Sequence, residues 1–263
     1  SFGLPVLFQN GLFNAACLVV DGQIAGLVAK RYLAGDGIHY EPRWFKPWPQ
    51  GIRRSISIDG ADCPIGDLLF DCGGVRLGFE ICEDAWVAAR PGASLSLDGA
   101  DIILNPSASH FAFGKIRTRE RFVQEGSRAF GVSYVYSNLL GNEAGRAIFD
   151  GGALIATGGR IVARGPRFSH RDVVVTSARV DIEATRIAQS RTTSFMPRVA
   201  SEPGAIVRAA FSWPDANPQE PANASVAAWE DGGCVKEEEF GRAVALACSI
   251  TCARAGRKAS SFP

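Results

Sequence analysis

At 263 residues and 46% apolar composition, the chain can bury one large core or two small ones. Its 28 Lys and Arg nearly balance 27 Asp and Glu, so no basic field favours nucleic acid or an anionic membrane surface, and no apolar run approaches a membrane span. Ser1 leads into strand-like sequence without a signal-peptide pattern, and seven cysteines, an odd number without metal or disulfide spacing, fit a reducing cytoplasm.

In chain order, Leu4–Phe8, Phe13–Val20 and Ile24–Ala29 read as strands. They are joined by Gln9-Asn10-Gly11 and by the hairpin signal Asp21-Gly22. The loop from Ala34 to Gly51 is dense in Gly, Pro and aromatic residues, and its length suggests a functional loop. Leu68–Phe70 and Val75–Ile81 form a second hairpin, and Ala100–Leu104 is an apolar strand entering the sequence NPSASH. Lys115–Phe130 carries helical periodicity. Val132–Leu140 is a strand, residues 153–163 a third hairpin, and Val173–Val180 a last strand. Gly141–Gly152 lacks phosphate-loop spacing and reads as turns between strands. Residues 191–231 hold five of the fourteen prolines and read as a linker or wrapping arm. Glu237–Leu246 begins an amphipathic helix. The pattern implies a layered α+β sandwich.

The stretch from Val75 to Trp86 carries the chemistry. Alternating apolar residues end at Cys82, with Glu83 and Asp84 directly after it. A thiol at a strand end before a sharp turn resembles a nucleophile elbow with Cys in place of Ser. A buried structural Cys is the plainer alternative, and two acidic residues argue against it by marking the end of burial. Three places could converge on Cys82. Lys30 ends a strand and could hold a developing oxyanion. Glu41 lies in the aromatic loop beside Arg43, where an ion pair is equally natural. Ser107, Ser109 and Lys115 follow the apolar strand. Together they suggest thiolate attack on a carbonyl, with a carboxamide as substrate and ammonia as leaving group. His39, His110 and His170 look isolated, so a carboxylate is the expected base.

The segments Lys30–Phe45, Gly78–Trp86, Asn105–Lys115 and Ser127–Ala163 resemble the amidase domain of glutamine-dependent NAD synthetases, within the nitrilase superfamily of C–N hydrolases. The resemblance runs over about residues 2–246. It implies a nitrilase-like α-β-β-α sandwich, incomplete at the N-terminus, and a homo-oligomer when intact. It makes Cys82 the nucleophile, Lys30 the oxyanion stabiliser with the backbone N–H of Glu83, and Glu41 the support for Lys30. Glu83, Ser109 and Lys115 would hold the polar ends of glutamine. Ammonia would pass to a C-terminal synthetase domain, which alone would need ATP and Mg; no cofactor is expected in residues 1–263.

The family's general-base Glu comes from a segment upstream of the GLPV strand, and neither Glu41 nor Glu80 stands at its position. The chain by itself is therefore expected to be weakly active or inactive, with part of a sheet face uncovered. The implied organisation is a partial C–N hydrolase domain at 1–190, a linker at 191–231, and the first helix of the synthetase domain at 232–247. Residues 248–263 read as a tail in a shifted frame: one base earlier, a back-translation of Cys248–Arg254 can encode Leu-Phe-Asp-Tyr-Leu-Arg-Lys, which the resemblance places there. That tail is expected to be frayed. The alternatives are a non-catalytic remnant or glutamine-binding scaffold, or a stand-alone nitrilase-superfamily amidase.

Overall fold

The computed structural model describes residues 1–143, 146–199, 206–214 and 225–254. The chain opens with strands β1 (Phe2–Phe8), β2 (Gly11–Val20), β3 (Gln23–Ala29), β4 (Arg53–Ile58) and β5 (Ala61–Gly66), which form one sheet in the order β1-β2-β3-β5-β4. Its three hairpins turn on residues with positive φ: Gln9-Asn10, Asp21-Gly22 and Asp59-Gly60. Paired positive φ values match the twist of two-residue hairpins.

Next come β6 (Leu69–Cys72), β7 (Val75–Phe79), helix α1 (Pro91–Leu97), β8 (Ile102–Ser107), α2 (Lys115–Phe130) and β9 (Ser133–Asn138). A small hairpin follows, β10 (Leu140–Glu143) with β11 (Ala147–Asp150), then β12 (Ala153–Thr157), β13 (Arg160–Arg164), α3 (Ile182–Arg191), β14 (Ile206–Ala209) and α4 (Val235–Arg254). The second sheet runs β13-β12-β9-β8-β7-β6-β14, with β7, β8 and β9 parallel and joined through α1 and α2. Helix α2 ends where Gly131 takes φ 64°, the left-handed conformation that a glycine adopts without cost.

Burial follows the strand alternation. Ala16, Leu18 and Val28 of the first sheet meet Phe70, Leu77 and Phe79 of the second, filling the space between sheets. The second sheet's other face carries Ile103, Tyr134, Tyr136 and Leu154 against Val123 of α2. The intervening residues Ala15, Cys17, Leu27 and Ala29 point to the first sheet's far side, where Trp48, Phe8 and Phe13 pack on them. Part of a sheet face was expected to lie uncovered; on this side Trp48 of the aromatic loop packs on the sheet.

Four expectations need correction. Residues 173–180 form no strand; Val173 and Val175 are 75% and 84% exposed. The Pro-rich stretch, read as a linker or wrapping arm, carries a strand that was not expected, Ile206–Ala209, which adds to the second sheet as a parallel edge on β6. The β4–β5 hairpin, α1 and α3 were not foreseen. The helix begun near Glu237 does not stop at Ala247: it continues to Arg254, with Ile250 packed beside Leu246 and Phe168. Residues 255–263 lie outside the described part.

Truncating Phe79, which is 2% exposed between the sheets, should cost about 3–5 kcal/mol in chemical denaturation. Val175→Ala should stay within about 0.5 kcal/mol of the parent. Equal losses for both would contradict the assigned core.

Candidate active site

Strand β7 runs through Glu80 and Ile81 into Cys82, which adopts φ 48° at the start of a 3-10 turn over Cys82–Ala85. A non-glycine residue in that region is strained and persists only where its surroundings hold it. Two buried carboxylates do so. Asp84 accepts from the backbone N–H of Ile81 and of Tyr32, both at 2.9 Å, tying the elbow to the segment just after Lys30. Burial pushes its carboxyl up to about 6, against those two hydrogen bonds. Glu80, fully buried behind the strand, pairs with Arg90 at 2.7 Å and accepts from Tyr134 at 2.6 Å and from the Gly92 N–H at 2.8 Å. The acidic pair after the thiol was expected to mark the end of burial; Asp84 instead is 3% exposed and Glu83 half-buried.

Lys30 stands at the end of β3, only 2% exposed, with Nζ 2.5 Å from Glu41 Oε2. The aromatic loop folds back so that Glu41 also accepts from Asn14 Nδ2 at 2.6 Å and from the Ala34 N–H at 2.8 Å. Three donors fix this carboxylate, and through it the ammonium. Lys30, Glu41 and Cys82 line one cleft of about 670 Å³, with His39, Tyr40, Ser107, Ala108 and His110 in its wall.

The other expected residues adjoin this cleft. Burial raises the Glu83 carboxyl, with Lys30 and Lys115 opposing. Lys115, the first residue of α2, lies 5.5 Å from the Trp86 ring centroid. Burial, then the Arg119 charge, lowers its ammonium to about 8, while Cys82 and Glu83 act to raise it. Ser109 is buried, and its hydroxyl lies 3.3 Å from Arg119 Nη2, while its neighbours Ala108 and His110 face the cleft.

Two features were invisible in the sequence. His39 and His110 are not isolated: their rings lie 4.8 Å apart and hydrogen-bond at 3.0 Å, with His110 reached in turn by Lys115 Nζ at 3.3 Å. Burial, with the Lys115 charge second, lowers both imidazoles, that of His110 to about 4, so both are neutral near pH 7. Across the cleft mouth, Tyr40 donates to Glu143 at 2.5 Å and Arg146 lies 3.9 Å over the Tyr40 ring. Both partnerships join residues far apart in the chain, which no local pattern could reveal.

A strained thiol that shares a cleft with a buried ammonium suits nucleophilic attack on a carbonyl whose oxygen gains charge. Residues 4–188 match the carbon-nitrogen hydrolase family. The glutamine-dependent NAD(+) synthetase of Saccharomyces cerevisiae is 35% identical over 193 residues, 70% of this chain and 27% of that protein. That of Dictyostelium discoideum is 33% identical over 207 residues, 75% and 29% of the two chains. A crystal structure of a glutamine-dependent NAD(+) synthetase from Cytophaga hutchinsonii superposes with TM-score 0.60 at 43% identity, over 66% of this chain and 29% of that one. The carbon-nitrogen hydrolase of Helicobacter pylori shares the fold at TM-score 0.60 and 21% identity, over 75% and 67% of the two chains. This chain thus spans under a third of the length of the curated relatives it matches.

Limiting iodoacetamide should label Cys82 ahead of Cys17 and Cys72, whose thiols burial raises. Mass spectrometry reads the order, and preferential labelling of either buried thiol would overturn the assignment. The same sulfur should favour anionic iodoacetate while Lys115 is charged. That preference should fall as pH rises through about 8, where Lys115 loses its proton. A ratio of the two rates that stays flat across this range would contradict the placement.

Proposed function

The chain belongs to the carbon–nitrogen hydrolase family, and on that premise we propose that it is the glutamine amidohydrolase part of a glutamine-dependent NAD synthetase. The observation that carries the reading is the shared cleft of Cys82 and the buried Lys30–Glu41 pair. In the proposed reaction the Cys82 thiolate attacks the side-chain carboxamide carbon of glutamine. The carbonyl electrons move to oxygen, where Lys30 Nζ and the backbone N–H of Glu83 hold the charge; the first N–H groups of a helical turn lack partners within it. Collapse expels ammonia, which carries away the proton the thiol gave up, and leaves a glutamyl thioester. Water then attacks the thioester, and glutamate and the free thiol result.

The role of Glu41 is to orient Lys30, since its oxygens are already engaged by Lys30, Asn14 and Ala34. The family resemblance gives the transfer of the thiol proton to a further glutamate, not to Glu41 or Glu80. Glu83 and Lys115 have the charges to receive the α-amino and α-carboxylate groups. Ser109 is the weaker contact, because its hydroxyl would have to leave Arg119. Ammonia would be used by a synthetase domain with ATP and Mg, in a cytoplasmic homo-oligomer; no described helix is long and apolar enough to cross a membrane.

Ammonia release from glutamine by the whole gene product tests this. Cys82→Ala should lose roughly 10⁴–10⁶-fold, as for removal of a nucleophile. Lys30→Met should lose about 10²–10³-fold, as for one oxyanion donor. Undiminished release by Cys82→Ala would sink the proposal.

A further inference from the structure

The segment from Ser109 to Lys115, which lines the cleft at His110, is held from behind by a closed ring of buried charges. Arg119 Nη2 donates to the carbonyls of Ser109 at 2.8 Å and His110 at 3.0 Å. Arg119 Nη1 lies 2.8 Å from Asp150 Oδ1, and the other oxygen of Asp150 accepts from Arg167 Nε at 2.9 Å. Arg167 Nη2 then reaches Glu239 Oε1 on α4 at 2.8 Å, and Glu239 Oε2 accepts from the backbone N–H of Gly114 at 3.3 Å. Gly114 immediately precedes Lys115. The ring therefore leaves the wall at Ser109 and His110 and returns to it at Gly114. All four side chains are buried: Arg119 0%, Asp150 1%, Arg167 6% and Glu239 2% exposed.

We infer that Glu239 is a positioning residue for the cleft, fixing Lys115, whose Nζ reaches His110 of the cleft wall at 3.3 Å, from a helix outside residues 4–188, where the family match lies. Two buried guanidinium groups balance two buried carboxylates, with Glu230 assisting Arg167 from the edge at 3.1 Å. A buried charge that loses its partner draws in water or moves toward solvent. Neutralising Glu239 leaves Arg167 to turn toward Glu230 and frees Gly114. The start of α2, with Lys115, then loses its anchor. A plain strut would affect only how much protein folds; a positioning residue changes the field at the Cys82 sulfur in molecules that remain folded.

The inference rests on the reading of Cys82 and Lys115 given above, and the test separates the two. Alkylation rates of Cys82 by iodoacetate and by iodoacetamide are measured in the full chain at pH 7 and divided. Both reagents meet the same thiolate, so thiolate fraction and folded fraction cancel and the local charge remains. Glu239→Gln, close in shape, should lower the ratio roughly three- to tenfold, as expected for moving one nearby charge. Lys115→Met should give a similar fall, and exposed Glu237→Gln none. Arg167→Lys, which breaks the ring from its other side, should act like Glu239→Gln and decides the matter if that variant does not fold. An unchanged ratio in folded Glu239→Gln or Arg167→Lys, with Lys115→Met lowered, overturns the inference alone. A ratio that Lys115→Met leaves unchanged overturns the reading of the site and the inference with it.

Discussion

An ammonium withdrawn from water needs a carboxylate held against it, and the Lys30–Glu41 pair imposes that demand on this fold. The pair sets several distant segments. β3 delivers Lys30, and the long loop turns back to return Glu41. Asn14 of β2 completes the donor set around Glu41, and Lys30 itself is pinned by backbone hydrogen bonds to Asn14 and Trp48. Trp48 belongs to that same loop and closes the outer face of the first sheet, so one excursion of chain serves the charge pair and the core together. Asp84 then links Tyr32 to the Cys82 turn, which puts thiol and ammonium in a fixed relation across the two sheets.

Further buried networks repeat this logic. Glu80 with Arg90 and Tyr134 braces the strand end beneath the strained thiol, and the Arg119–Asp150–Arg167–Glu239 ring braces the opposite wall. Replacing such pairs by apolar groups can leave stability unchanged, whereas removing one member costs about 3–5 kcal/mol. Their value here is geometric: they fix backbone segments whose ends carry the groups facing the cleft.

Much of the fold was legible wherever local patterns dominate. The boundaries of α2 agree because helical periodicity is bracketed by Gly114 and Gly131. The early hairpins agree because Gln9-Asn10 and Asp21-Gly22 take the positive-φ turn positions. Asp59-Gly60 carries the same signal, for the hairpin of β4 and β5. β14 was hidden because its stability comes from β6, far away in sequence. At the site, the convergence of Cys82, Lys30 and Glu41 could be anticipated from strand ends and loop composition. The burial of Asp84 could not, because its partner is the N–H of Tyr32, 52 residues away. The pairing of His39 with His110 and the reach of Glu239 to Gly114 are likewise products of tertiary contact alone.

The central claim, that Cys82 is the nucleophile of a cleft built for glutamine, is tested most directly with a glutamine analogue bearing a diazoketone at the side-chain carbonyl. A thiolate at the reacting position displaces nitrogen and leaves a stable thioether, so the experiment does not depend on turnover. The expected result is one adduct per chain, on the peptide containing Cys82, formed more slowly when glutamine is present and not when glutamate's shorter homologue aspartate replaces it. Adducts spread over exposed Cys234 and Cys248, or labelling of Cys82 that glutamine does not slow, would contradict the account.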